Sequence, residues 1–308
     1  MVTAYISHPD CALHDMGNNH PECPRRLNAI SDCLIAAGTF DYIQQIDAPK
    51  AELHHLQLAH DRNYINNLLI NSPKEGLFRI DEDTALSPHT LDAAMHSAGA
   101  MIRAVDGVMS GEFTNAFCAT RPPGHHAERA KANGFCFFNN IAIAAHYAVK
   151  HHRVKKVAVI DIDIHHGNGT EDILGGSRRI QYWSSFESDI FPFRDNKLRS
   201  RRNVSLHPIA TNCSGSDYKN LINDQLMPWI YRLRPQLILL STGFDGHIED
   251  EISHSRLTDN DYRWVIEKIN GAAKVFCQGR IISTLEGGYN LSALGRCGAA
   301  HVKELAGL

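Results

Sequence analysis

None of the eight cysteines forms a C-x-x-C pair; Cys11, Cys23, Cys33, Cys118, Cys136, Cys213, Cys277 and Cys297 are scattered along the chain. That spacing excludes a thiolate metal site and a disulfide framework, and it suits a reducing compartment. Long apolar runs are missing as well: stretches such as LILL at 237–240 fall far short of a bilayer span. The start, MVTAYISHPD, lacks a basic segment followed by an apolar one, so no secretory signal is expected and the protein reads as soluble and cytoplasmic. A formal charge of −3 gives no global attraction to nucleic acid or anionic membrane, and no nucleic-acid motif is apparent. Repeats, low-complexity tracts and Pro/Gly/Ser-rich linkers are also lacking, so residues 1–308 read as a single domain.

What the chain has is a globular composition, 43% hydrophobic and 21% charged, with ample material for one core. Short β-type runs occur at 3–7, 42–46, 115–119, 157–163, 180–184, 203–206, 236–241 and 280–285. Helical patterns alternate with them at 24–37, 90–109, 139–150, 216–233, 259–277 and 291–306. This alternation predicts an α/β fold, a three-layer α/β/α domain around a mostly parallel sheet of about eight strands. Ligands of such sheets bind beyond the C-terminal strand ends, so chemistry is expected directly after an apolar run.

The segment VAVIDIDIHHGNGT (157–170) meets that condition. An extended chain places alternate residues on one face, so Asp161, Asp163 and His165 are expected to project together. Carboxylates at a buried strand end need a cation or hydrogen-bond donors, and carboxylates with an imidazole suit a catalytic divalent metal. Alone, the same pattern also fits buried aspartates capping the next helix. A second strand end, QLILLSTGFDGH, adds Asp245 and favours the metal. A two-metal hydrolase of the ureohydrolase kind needs further acids at 167 and beside 245, where Gly167, Gly243 and His247 stand, so one metal is expected.

RPPGHHA (121–127) follows another apolar run and extends His125 and His126 from a loop stiffened by two prolines, which alone fits a rigid turn with surface histidines equally well. Amide hydrolysis needs a base for water and an acid for the leaving amine, and histidine serves both near neutral pH. LEGGYN (285–290) follows the last run; alone it reads as a turn, but at a third strand end Gly287 and Gly288 permit a close backbone approach able to aim Tyr289 into the site as an oxyanion donor.

Taken in order, HPECPRRL (20–27), RPPGHHA, GFCFFNN (134–140), DIDIHHGNGT, STGFD (241–245) and EGGYN resemble the histone deacetylase family, within the arginase/deacetylase fold. The resemblance implies Asp163, His165 and Asp245 as ligands of one Zn2+, and His126 as the general base that later protonates the amine. It also implies His125 as its electrostatic neighbour hydrogen-bonded to Asp161, and Tyr289 as the residue that holds the transition state. Gly134, Phe135 and Phe191 become walls of a narrow acyl-lysine tunnel, and Asp83 an acid at its rim. Ile252 becomes the gatekeeper position, and Asp161 with Ser184 become contributors to a structural K+ site. The implied substrates are an acetylated lysine peptide or protein, or an acylated small amine.

Two positions depart from the class I pattern. Asn168 stands where class I members carry an aspartate, as in class II and bacterial members, and should leave His126 less prone to protonation. The segment after Phe191 and Pro192 reads FRDNKLRSRRN (193–203) in place of G-T-G, and its Arg194, Lys197, Arg199, Arg201 and Arg202 read either as a solvated loop or as a selector of acidic peptides. Ile252 favours acetyl-lysine over acetylpolyamine, with Glu249, Asp250 and Glu251 as neighbours able to serve a cation. A small-molecule deacylase or esterase, an acetylpolyamine amidohydrolase, and a non-catalytic acyl-lysine binding protein are the competing expectations. The last would be expected to lack a ligand, the base or the tyrosine, and none is missing.

Overall fold

The computed structural model describes residues 2–193 and 201–308. Eight of its strands form one parallel sheet: β1 (Thr3–Ser7), β2 (Gln44–Asp47), β5 (Asn115–Cys118), β6 (Val157–Asp161), β7 (Ile180–Glu187), β8 (Val204–Ile209), β9 (Leu237–Thr242) and β10 (Ile281–Leu285). Their order is β2-β1-β5-β10-β9-β6-β7-β8, and every pairing is parallel. The central strands carry apolar residues on both faces because helices cover both. On one side lie α4 (Thr90–Ser110) and α5 (Asn140–His151), and on the other α1 (Arg25–Ala36), α9 (Asp259–Cys277) and α10 (Leu291–Ala306). The expected α/β architecture is the one observed, with each of the eight apolar runs forming a strand of this sheet.

Smaller elements were not evident in the sequence. These are α2 (Leu53–Leu56), α3 (Arg62–Asn71), α6 (Asn168–Leu174) and a two-stranded ribbon of β3 (Phe78–Arg79) with β4 (Ala85–Leu86). The long helix expected at 216–233 is divided. It comprises α7 (Gly215–Leu221), a π turn at Ile222–Leu226, and α8 (Met227–Leu233). Pro228 has no N–H to continue the ladder, and the widened turn precedes it.

A second correction bears on the site. The fourth long run is extended only to Asp161, not to 163. Asp161 Oδ1 accepts the Asp163 N–H (3.2 Å), a local bond that turns the chain out of the sheet. Asp161, Asp163 and His165 therefore do not form one face of a strand, and Asp161 is directed to a different partner.

Candidate active site

Four adjacent strands, β5, β10, β9 and β6, deliver the site from their C-terminal ends. After β6, Asp163 and His165 meet Asp245, which follows β9. His165 Nδ1 lies 2.9 Å from Asp245 Oδ2 and 3.3 Å from Asp163 Oδ1. Each residue offers a ligand atom, all within 4.8 Å of one another. The two carboxylates are essentially inaccessible, at 1% and 0% exposure. Burial and the charge of Asp163 push the Asp245 carboxyl upward. Burial also works against ionisation of Asp163, but the charge of His125 and the bonds from His165 reverse it and bring the carboxyl down. Burial opposes imidazolium at His165 as well, yet Asp245 and Asp163 raise it to about 10. Two buried carboxylates thus draw a cation toward the imidazole, and an oxygen–oxygen–nitrogen donor set of this kind fits a divalent metal. Close packing makes room for it: a Cβ at Gly287 would collide with Asp245 Oδ2, and the Gly287 N–H donates to Asp163 Oδ2 (2.8 Å).

The loop after β5 brings His125 and His126 over this set. His125 Nδ1 donates to Asp161 Oδ2 (3.1 Å), which also accepts the Tyr182 hydroxyl (3.1 Å). Burial disfavours its imidazolium, but the charges of Asp163, Asp161 and Glu286 win and raise it to about 10. His126 behaves in the opposite sense. Burial, then the charges of His125 and His165, hold its imidazolium well below the usual histidine range. Its Nδ1 donates to Asn168 Oδ1 (2.8 Å), so the lone pair sits on Nε2. Neighbouring histidines driven apart in this way separate into a charged and a neutral partner.

Tyr289 follows β10 and lines the same cavity as His126 and His165. Burial, reinforced by Asp245 and Asp163, raises its phenol well above the ordinary value although Arg26 pulls the other way, so it remains a proton donor. Phe135, Phe191, Gly134, Asp83 and Ile252 also line this cavity, whose volume is about 470 Å³. Phe135 meets Tyr289 edge-on at 5.9 Å, and Phe191 meets His126 edge-on at 4.9 Å. Gly134 lies between them at φ +51; a Cβ there would stand 2.6 Å from His126 Cδ2 and 2.8 Å from Phe191 Cε1. Asp83 hangs from the β3–β4 ribbon, where its backbone carbonyl accepts from His20 Nε2 (3.0 Å). Gly288, at φ +117, shapes the turn into Tyr289. Ser184 pairs with Asp161 across β6 and β7 but is not part of the cavity lining.

Several residues around the site were not singled out from the sequence. Arg26 is fully buried, donates through Nε to the Gly288 carbonyl (2.7 Å), and stands 4.9 Å over the Tyr289 ring. Glu22 balances it and also bonds Arg121, the residue opening the histidine loop. Glu286 Oε2 accepts the N–H groups of Gly124 (2.7 Å) and His125 (3.1 Å). Asp250, singled out in the sequence only as an acid beside Ile252, accepts through Oδ2 those of Tyr289 (2.6 Å) and Asn290 (2.9 Å). His254 lines the cavity and is held by buried Glu187 (2.8 Å). Glu22 and Arg26 lie within HPECPRRL, whose charged residues beside prolines were the available signal.

Residues 20–305 match the family model described as histone deacetylase domain. The chain belongs to the histone deacetylase family. It is 32% identical to "Histone deacetylase-like amidohydrolase" of Pseudomonas aeruginosa, over 100% of this chain and 80% of that protein. It is 30% identical to "Type-2 histone deacetylase 2" of Dictyostelium discoideum over 98% of this chain. It spans 21% of that relative and 46% of "Histone deacetylase 5" of Arabidopsis thaliana. The crystal structure of the HDA15 HD domain superposes with a TM-score of 0.92 at 27% identity, covering 100% of this chain and 89% of that one. The sheet order described above is therefore the arginase/deacetylase fold of this histone deacetylase relative. Among the described residues, no helix is long and apolar enough to cross a membrane.

Of the basic stretch, Arg194, Lys197 and Arg199 lie outside the described residues. Arg201 turns to α6, where its guanidinium donates to the carbonyls of Glu171 (3.2 Å) and Asp172 (3.3 Å).

Proposed function

We propose that this chain is a zinc-dependent deacetylase that hydrolyses the amide of acetyl-lysine, or of a related acylated amine, to free amine and acetate. The observation that carries the reading is one cavity lined by a neutral histidine, His126, a phenol, Tyr289, and His165, whose imidazole groups with the buried carboxylates of Asp163 and Asp245. Asp163, His165 and Asp245 would hold Zn2+, whose chemistry when bound is to polarise the scissile carbonyl and lower the pKa of water. His126 Nε2 takes a proton from the attacking water and returns it to the leaving amine. His125, kept charged by Asp163 and Asp161, stabilises negative charge that develops above the carboxylates. The Tyr289 hydroxyl donates to the tetrahedral oxygen, with Arg26 behind its ring favouring that charge. Phe135 and Phe191 present apolar surface to the methylene stem of lysine, and Asp83 is offered at the rim for the substrate backbone.

One observation favours acetyl-lysine over acetylpolyamine. Of the three acids beside Ile252, Asp250 already accepts two backbone N–H groups and Glu249 pairs with Arg296 (2.8 Å), leaving Glu251 for a distant cation. The potassium reading rests on Ser184 Oγ, which is buried without a hydrogen-bond partner beside Asp161 in register. The cytoplasmic placement is supported by eight free cysteines. Turnover of matched acetyl-lysine peptide, acetylpolyamine and ester substrates tests the assignment. A peptide preference in kcat/KM is expected; polyamine preference would move the substrate class, and binding without turnover would favour the non-catalytic reading.

A further inference from the structure

The loop that leaves Asp245 carries a histidine for which the proposed chemistry has no task. The loop is pinned to the site at two points. Ser253 Oγ donates to the Asp245 carbonyl (2.8 Å), and Asp250 Oδ2 holds the N–H groups of Tyr289 and Asn290. His254 follows directly and lines the cavity together with Asp83, Phe191 and Ile252. Its side chain is 64% exposed, so it stands at the open end of that cavity, whereas the side chain of Glu187, its partner, is 0% exposed.

Glu187 is the last residue of β7, and its N–H donates to the carbonyl of Ile164 (2.8 Å), between Asp163 and His165. Both of its carboxylate oxygens are engaged by His254: Oε1 accepts from the ring Nδ1 (2.8 Å) and Oε2 from the backbone N–H (3.0 Å). A buried carboxylate is costly unless it is hydrogen-bonded, and here the bonds go to a single exposed residue. An exposed imidazole would otherwise turn among its rotamers, and this two-point grip removes that freedom in advance of binding. A carboxylate only accepts, so Nδ1 carries the proton, and in the neutral ring the lone pair sits on Nε2. The two nitrogens diverge in the ring plane, so Nε2 is directed away from buried Glu187 and toward the open side.

The polar groups deeper in the cavity, His126, His165 and Tyr289, are committed to the amide. The methylene stem of lysine offers nothing to a hydrogen-bond acceptor at the mouth, but a peptide main chain brings an N–H at every non-proline residue. We propose that His254 is a specificity-determining residue whose Nε2 accepts a main-chain N–H of a peptide substrate, with Glu187 as the positioning residue that aims the ring. The inference rests on the deacetylase reading above and adds to it a preference for acyl-lysine within a peptide over a bare acylated alkylamine. Asp83 comes from the β3–β4 ribbon and His254 from the loop after β9, so the main chain is held by two separate elements.

The test compares zinc-loaded wild type and His254→Ala on a short acetyl-lysine peptide and on N-pentylacetamide, which has a similar amide and stem but no main chain. One net hydrogen bond corresponds to about threefold to tenfold in affinity. His254→Ala should lower kcat/KM for the peptide by that factor more than for the alkylamide, through KM and not kcat. A peptide N-methylated at the acetyl-lysine and the following nitrogen should be insensitive to the substitution. Glu187→Gln, which leaves one acceptor oxygen for two donors, should reproduce part of the rise in KM. Equal losses on peptide and alkylamide, or a peptide loss carried by kcat, would overturn the proposal. A folded, zinc-loaded wild type that turns over neither compound would overturn the deacetylase reading instead. The Kd of the same peptide for wild type and His254→Ala would then decide the inference: weakening by about threefold or more upholds it, and equal affinity overturns it.

Discussion

Replacing Asn168 by aspartate should raise the pH at which His126 becomes protonated. In the protein His126 donates to Asn168 Oδ1 at 2.8 Å, while burial and two neighbouring histidines hold its imidazolium down. Its lone pair is therefore available through neutrality and into the acid range. A carboxylate at position 168 sets a negative charge about 4 Å from the ring; at an effective dielectric near 20 that attraction is about 4 kcal/mol. At 1.36 kcal/mol per pKa unit the ceiling is about 3 units. The site reduces it, because Asn168 Nδ2 donates to Glu128 Oε1 (2.8 Å), and the new carboxylate would face Glu128 without that donor. We expect the acid limb of kcat/KM to move upward by about 1 to 2 units. Asn168→Asp with Glu128→Gln should move further than Asn168→Asp alone. The assay is kcat/KM on an acetyl-lysine peptide from about pH 4.5 to 9 with zinc content measured in parallel. An unmoved acid limb in a variant with normal metal content would refute His126 as the titrating base.

Tyr289→Phe should lower kcat by about a hundredfold to a thousandfold while leaving metal content intact, as expected for loss of an oxyanion donor; a near-normal rate would remove the phenol from the mechanism. Gly134→Ala should reduce kcat/KM at least tenfold, since its Cβ would press on His126 and Phe191 at a positive φ; inhibitor affinity unchanged in this variant would contradict the tunnel assignment. His60 is buried between the Glu128 carbonyl (3.0 Å) and the Asn139 N–H (2.8 Å), and burial lowers its imidazolium from 6.5 to about 4. The unfolded chain then binds this proton first as pH falls, so the stabilisation is full above about 6.5 and is lost toward pH 4. A gap of about 2.5 at 1.36 kcal/mol per unit gives about 3 kcal/mol. Urea unfolding of chelator-treated protein at pH 7 and 5 should show a smaller loss in His60→Gln than in wild type, and equal losses would count against this origin.

The sheet was legible because each central strand is a short apolar run, which carries the same message in sequence and in space. The candidate site was legible for a related reason: its residues lie directly after those runs, in the segments following β5, β6, β9 and β10. Local bonds that leave no periodic trace were hidden. Asp161 turns the chain out of β6 through its own carboxylate, so alternation did not describe the residues beyond it. Pro228 signalled trouble inside a helix, but the form of the break depends on the surrounding turn. The charged support of Tyr289 joins Glu22 and Arg26 to residues more than 260 positions away, through Arg26 Nε to the Gly288 carbonyl, a contact only the assembled fold creates. The ribbon carrying Asp83 has strands of two residues each, too short to produce a pattern.

The most direct test of the central claim is turnover of a short acetyl-lysine peptide by metal-stripped, folded protein before and after stoichiometric zinc, alongside Asp245→Asn. Activity should return with zinc in wild type and not in Asp245→Asn. Activity that survives complete metal removal, or that zinc restores equally in Asp245→Asn, would contradict that claim.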